Sequence, residues 1–141
     1  MPLDPMTVPL SETNPFRDLL GIAVERGPEP GVSRVVIRSI TDKLRQKQGV
    51  VHGGVYATMI DAALGEAVHL SIGPGGSLVT VELNLNLMRA VADGGLAAIG
   101  RVIHAGGTLV IATADVFDDE NRLAASGRGT FRVRRPAKEE S

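Results

Sequence analysis

From Gly53 to Ser71 the chain has no proline, and Val55, Ala57, Met59, Ile60, Ala62, Ala63, Leu64, Ala67, Val68 and Leu70 are all apolar. On a helix these positions go nearly all the way round, and a helix apolar on most sides must be buried on most sides. Gly73-Pro74 then supplies a stop signal. At 1.5 Å rise per residue the segment makes a rod of about 27 Å. After Gly76 the period changes from helical to two. Val79, Val81, Leu83, Leu85 and Leu87 alternate with Thr80, Glu82, Asn84 and Asn86, which predicts a strand over 79–87 with the apolar set on one face. Leu96–His104, Thr108–Phe117 and Leu123–Val133 read as three more strands. The last puts Arg128, Thr130 and Arg132 on one face and Gly127, Gly129, Phe131 and Val133 on the other. The short Gly- and Asp-rich links at 93–95, 106–107 and 118–121 predict four hairpin-linked strands in an antiparallel meander.

Upstream, Val32–Ile40 reads as a strand from its Val and Ile content, and Leu19–Glu25 as another, joined by the Gly27–Gly31 turn cluster. Residues 42–48 are polar and read as a loop. The expected organisation is an arm over 1–14, one α+β domain over 15–135 and a charged tail over 136–141. In that domain a long central helix is wrapped by a curved antiparallel sheet. One small sheet cannot cover such a helix alone, so a homo-oligomer is expected, either a dimer or a dimer of dimers.

Composition narrows the chemistry. The 141 residues include no Cys, which excludes disulfides, thiolate nucleophiles and Cys-based zinc sites. A net charge of −1 gives no reason to expect nucleic acid or an anionic membrane as partner. Pro2, Pro5 and Pro9 stand where an export signal would need an apolar run, so a soluble, cytoplasmic location is the expectation. Ser126 lies in a strand pattern without a Gly-x-Ser-x-Gly elbow, and no phosphate-binding glycine fingerprint is present. Glu66 and His69 make one Glu-x-x-His step where a di-metal carboxylate site needs two, so no metal is expected.

Asp61 is the residue that breaks the pattern. It interrupts the apolar helix between Met59-Ile60 and Ala62-Ala63-Leu64, and burying an unpaired carboxylate is costly unless it is paired or used. His52-Gly53-Gly54 precedes the same helix. Two glycines allow close backbone approach, and the free N–H groups of a first helical turn suit a carbonyl oxygen that is turning negative. Gly53 and Asp61 are eight residues apart, about 12 Å at helical rise, too far for one carbonyl to touch both. A second, antiparallel copy of the helix would bring the two together.

Gln46-x-x-Gly49-x-x-His52-Gly53-Gly54 followed by Asp61 resembles the phenylacetate-pathway type of hotdog-fold acyl-CoA thioesterase. Val79 to Asn84, Gly106 to Leu109 and Ala124 to Phe131 continue the resemblance over most of 46–133. The resemblance implies hydrolysis of an acyl-CoA thioester, with no cofactor because CoA is part of the substrate. It also implies roles. The Gly53 N–H holds the carbonyl, Gln46 orients substrate or water, Asp61 of the partner subunit is base or nucleophile, and Thr80 assists. His52 and Gly54 are candidate substrate-binding residues, His52 shaping the helix entry more than transferring protons, and the hairpin of His104, Gly106, Gly107 and Thr108 holds CoA. Similar enzymes often carry Lys or Arg where Gly107 stands, which leaves Arg89, Arg128 and Arg132 as candidate phosphate contacts, Arg132 first among them. Two alternatives stay open: a non-catalytic acyl-CoA-binding module, which would not need Asp61, and a hotdog hydratase, which would want a carboxylate beside His52.

Overall fold

The computed structural model describes residues 4, 6 and 13–137. Most of the expected arm and tail lies outside the described residues. Helix α1 (Pro15–Leu20) comes first, then β1 (Ile22–Glu25) and β2 (Val32–Ile37). A single 3-10 turn follows at Asp42–Leu44. The central helix is α2 (Gly53–Ile72), and β3 (Ser77–Leu87), β4 (Leu96–Ala105), β5 (Leu109–Asp118) and β6 (Leu123–Arg134) complete the chain.

Two upstream expectations are corrected. Leu19 and Leu20 end a helix instead of opening a strand. The Asn14 side chain accepts a hydrogen bond from the Arg17 N–H, Pro15 sits in the first turn, and Gly21 closes the helix at φ 73°. These are the N-cap, N1 and C-terminal preferences of a helix, compressed into one turn and a half. The strand expected to reach Ile40 stops at Ile37.

The six strands form one antiparallel sheet in the order β1-β2-β4-β5-β6-β3. Only β4, β5 and β6 form the expected meander. β3 pairs with β6 and not with β4, so the segment between β3 and β4 is a crossing and not a hairpin. β3 is thereby left as an edge strand. Its pairing also contains a bulge: Thr80 lies opposite Phe131 and Glu82 opposite Thr130, with Val81 the extra residue. A bulge shifts the two-residue phase of everything beyond it. Phe131 is buried, and directly opposed residues share a face. Thr80, Leu83 and Leu85 therefore face α2, while Val79 and Glu82 face outward. The simple alternation expected for this strand holds only after the bulge.

The sheet approaches α2 closely enough to exclude side chains. A Cβ on Gly127 would lie 2.8 Å from Ile60 Cγ2, one on Gly129 2.8 Å from Leu64 Cδ1, and one on Gly100 would collide with the Ala63 carbonyl oxygen. That carbonyl also accepts a 2.6 Å hydrogen bond from Ser33 Oγ. Met59, Ile60, Ala63, Leu64 and Val68 are fully buried against Val35, Ala98, Val110, Ala112, Val116 and Phe131. No helix among the described residues is long and apolar enough to cross a membrane.

Gly100→Ala tests this packing. With backbone and not a flexible side chain in the way, the substitution should lower unfolding free energy by about 1–3 kcal/mol, read by urea denaturation.

Candidate functional site

The start of α2 is built by a clamped loop. The Arg45 guanidinium binds Asp42 (2.5 Å), Asp93 (3.0 Å) and the Ala92 carbonyl. The Val51 N–H donates to the Val91 carbonyl, and the His52 N–H to that of Leu44. Tyr56 Oη donates to the Arg89 carbonyl at 3.1 Å, and burial pushes its phenol pKa upward. These contacts tie the first turn of α2 to the β3–β4 crossing. The turn Gln46–Gly49 is closed by the Gly49 N–H on the Gln46 carbonyl, with Gly49 at φ 80°. Gln46 is exposed at this end of the helix.

His52 is the N-cap. Its Nδ1 accepts from the Gly54 N–H at 2.9 Å, which puts its ring proton on Nε2 in the neutral form. The His52 carbonyl accepts from the Val55 N–H. The cap leaves the Gly53 N–H without a protein partner among the described residues, so one helix-start donor stays available. A Cβ on Gly53 would come 2.8 Å from Leu87 Cδ1, so this donor sits where the far end of β3 packs on α2.

Asp61 is half-buried on α2. Thr80 Oγ1 donates to Asp61 Oδ1 at 2.7 Å. This bond exists because the bulge at Val81 turns Thr80 toward the helix. It joins the two residues into one polar unit at the uncovered edge of the sheet. The expectation of an acid within an apolar helix is met in sequence, but this acid reaches an opening and is not sealed in the core. The Gly53 donor and the Asp61–Thr80 unit lie near opposite ends of β3, as the helical spacing required.

The hairpin residues form a separate group. His104 is exposed beside a second bulge, at Ile103. The Gly106 N–H bonds the Leu109 carbonyl, and the Thr108 carbonyl accepts from the Val133 N–H. Gly107 has open space around it. Arg132 lies opposite both Val79 and Leu109 on the outer face. Sequence reasoning did not single out Arg135, whose guanidinium donates to the Gly106 carbonyl at 2.5 Å. It also missed Arg17, which binds Glu66 at 2.6 Å. A groove of 710 Å³ on the outer sheet face, floored by Val36, Ala97, Ile99 and Phe117, includes none of the expected site residues.

The thioesterase superfamily model matches residues 48–125, which include the helix start, Asp61 and Thr80. The chain belongs to the thioesterase superfamily. A Mycobacterium tuberculosis protein named as an esterase is 34% identical over 124 residues, spanning 85% of this chain and 86% of the relative. A 1,4-dihydroxy-2-naphthoyl-CoA hydrolase of Listeria monocytogenes is 26% identical over 117 residues, spanning 83% of this chain and 91% of the relative. Among solved structures, a conserved protein of Pseudomonas aeruginosa superposes with a TM-score of 0.81 at 33% identity, covering 86% of this chain and 95% of that one. The hotdog fold read from the sequence is the fold of this superfamily, and the chain is an enzyme of acyl-thioester hydrolysis.

His52→Ala should cost about 1 kcal/mol of stability, the usual value of a lost N-cap. His52→Asn should recover most of it, since an Asn side chain can cap the same turn. Thermal unfolding of the two variants checks this.

Proposed function

We propose that the protein hydrolyses an acyl-CoA thioester to the free acid and CoA in a site shared between two subunits. The observation that carries the reading is the pairing of an open carboxylate, Asp61 held by Thr80, with an unpartnered helix-start N–H at Gly53 on the same helix. The two lie about 12 Å apart within one chain. A dimer joined along the free edge of β3, with its helices antiparallel, would bring Gly53 of one subunit to Asp61 of the other. Val81, Leu87 and Met88 on and just after that edge are 59%, 50% and 52% exposed, and an unpaired edge with exposed apolar residues is a ready template for pairing with another chain.

In this site the thioester carbonyl accepts a hydrogen bond from Gly53. Asp61 takes a proton from water as the water oxygen attacks the carbonyl carbon. The oxyanion is stabilised by Gly53 and the helix dipole. It then collapses, the carbon–sulfur bond breaks, and the CoA sulfur leaves and takes up the proton. Thr80 orients the carboxylate, and Gln46, exposed near the donor end, orients substrate or water. Direct attack by Asp61 would instead give an acyl anhydride on the enzyme. Single turnover in heavy-oxygen water separates the two routes, because only direct attack, followed by water adding at the Asp61 carbonyl, places label in the protein. No cofactor enters either route.

The CoA portion lies across the hairpin of His104, Gly106, Gly107 and Thr108 and the neighbouring Arg132. Arg132 has no ion pair or side-chain hydrogen bond among the described residues, which leaves its guanidinium available for two parallel bonds to a phosphate.

Asp61→Asn should fold and assemble as the parent does and lose at least about a hundredfold in kcat, the usual range for a lost base. Activity within a few-fold would remove Asp61 from the mechanism. Light scattering at micromolar concentration should return a dimer or a multiple of it. Arg132→Ala should raise KM for acyl-CoA with kcat nearly unchanged, because phosphates far from the carbonyl are bound equally in ground and transition states. A truncated thioester lacking the nucleotide should not register the change.

A further inference from the structure

Resting on the shared-site reading above, we propose that two subunits pair along β3 in one register, with Asn84 facing its own copy across the twofold axis. β1 and β3 are the two edges of the sheet, and β1 offers four residues where β3 offers eleven. The Asn84 and Glu82 carbonyl oxygens lie 3.0 and 3.1 Å from Cβ positions built on Gly127 and Gly129 of β6. The peptide groups of Glu82 and Asn84 therefore point toward β6. In an antiparallel ladder the alternate residues point the other way. Leu83 and Leu85 thus present their N–H and C=O groups at the free edge, where no strand among the described residues receives them. Such a row carries donors and acceptors alike, so it is self-complementary under a twofold rotation.

The site fixes where the axis falls. A twofold that brings Gly53 to the partner's Asp61 also brings Asp61 to the partner's Gly53, so it passes midway between them. On β3 the Gly53 end is marked by Leu87, whose Cδ1 a Cβ on Gly53 would meet. The Asp61 end is marked by Thr80, which bonds the carboxylate at 2.7 Å. Val81 is the extra residue of the bulge and adds no full step to the ladder. Counting 86, 85, 84 from Leu87 and 82, 83, 84 from Thr80, both ends reach Asn84 after three steps. Both helices must also lie on one face of the joined sheet. A slip of one residue turns a chain's apolar set to the other face, so the axis passes beside a residue and not between two. In this register Leu83 and the partner's Leu85 exchange both N–H···O bonds. Glu82 faces the partner's Asn86, whose amide can donate to the carboxylate. The exposed Val81 comes level with the partner's Leu87, so the apolar residues of the edge cover one another.

The chain has no cysteine, so introduced thiols report the register. Glu82, Asn84 and Asn86 are exposed and face away from α2, so substitutions there leave the core and the site intact. Directly opposed residues outside the hydrogen-bonded pairs have Cα atoms about 4.5 Å apart, within disulfide range. Asn84→Cys should therefore oxidise to a disulfide-linked dimer, to the same extent on dilution, and keep the parent's hydrolysis. Moving the axis by one residue would set the two copies of position 84 about 8 Å apart, out of range. Glu82→Cys and Asn86→Cys alone lie about 14 Å from their own copies and should link at least about tenfold more slowly. Glu82→Cys and Asn86→Cys combined in one chain should link as fast as Asn84→Cys. No link at 84, a faster link from 82 or 86 alone, or a loss of hydrolysis on oxidation that reduction restores overturns the register. A linked dimer whose parent hydrolyses no acyl-CoA overturns the catalytic reading alone, and an active dimer without the link at 84 overturns only the register.

Discussion

The packing of α2 into the sheet is the contact on which the other features depend. A helix apolar on nearly every side has to be enclosed, and here the enclosing strands come so near that side chains are missing at the points of closest approach. Gly100, Gly127 and Gly129 stand against Ala63, Ile60 and Leu64 of the helix, and Ser33 anchors β2 to the Ala63 carbonyl. Protein interiors are packed to crystal-like density, so a helix held this tightly has little freedom to slide or rotate. The positions of Gly53 and Asp61 are therefore set by the core and not by the site itself. A rigid element carrying functional groups is what a precise site needs.

That rigidity has a consequence for assembly. Because α2 cannot bend, its donor and its carboxylate stay about two helical turns apart, and no rearrangement within one chain joins them. The edge position of β3 is the other half of the same constraint. Pairing β3 with β6 leaves that edge open, so the shape that buries the helix also exposes the acid. The bulge at Val81 completes the arrangement by turning Thr80 inward to bond the carboxylate.

The sequence was most legible where a single period ran long. The α2 pattern gave its limits to within a residue, and the alternation of β6 divided its two faces as observed. Asp61, Gly53 and His52 were legible because each breaks a pattern: an acid in an apolar helix, and glycines and a cap at its start. The α1 helix was readable in principle, since Asn14-Pro15 and Gly21 are ordinary start and stop signals. They enclose only six residues, too few for a periodic pattern to outweigh the apolar run that follows. The bulge had no local sign, because Val81 looks like any other apolar residue of the strand. Its position follows from pairing with Phe131 and Thr130, fifty residues away, and strand order likewise depends on which faces must be buried together.

Long-range pairing also explains why Arg17 escaped a reading by spacing. Its position beside Gly65 depends on Glu66, forty-nine residues on, and α1 is far too short to be stable by itself in water. The ion pair is partly shielded, with Arg17 only 20% exposed, so it is screened less than a surface pair would be. Phe16 and Leu19 remain 59% and 72% exposed on the same helix, and Leu20 is the α1 residue that packs against the core. What places α1 is its cap, the Gly21 turn that feeds β1, the packing of Leu20 on the core and the Arg17–Glu66 contact.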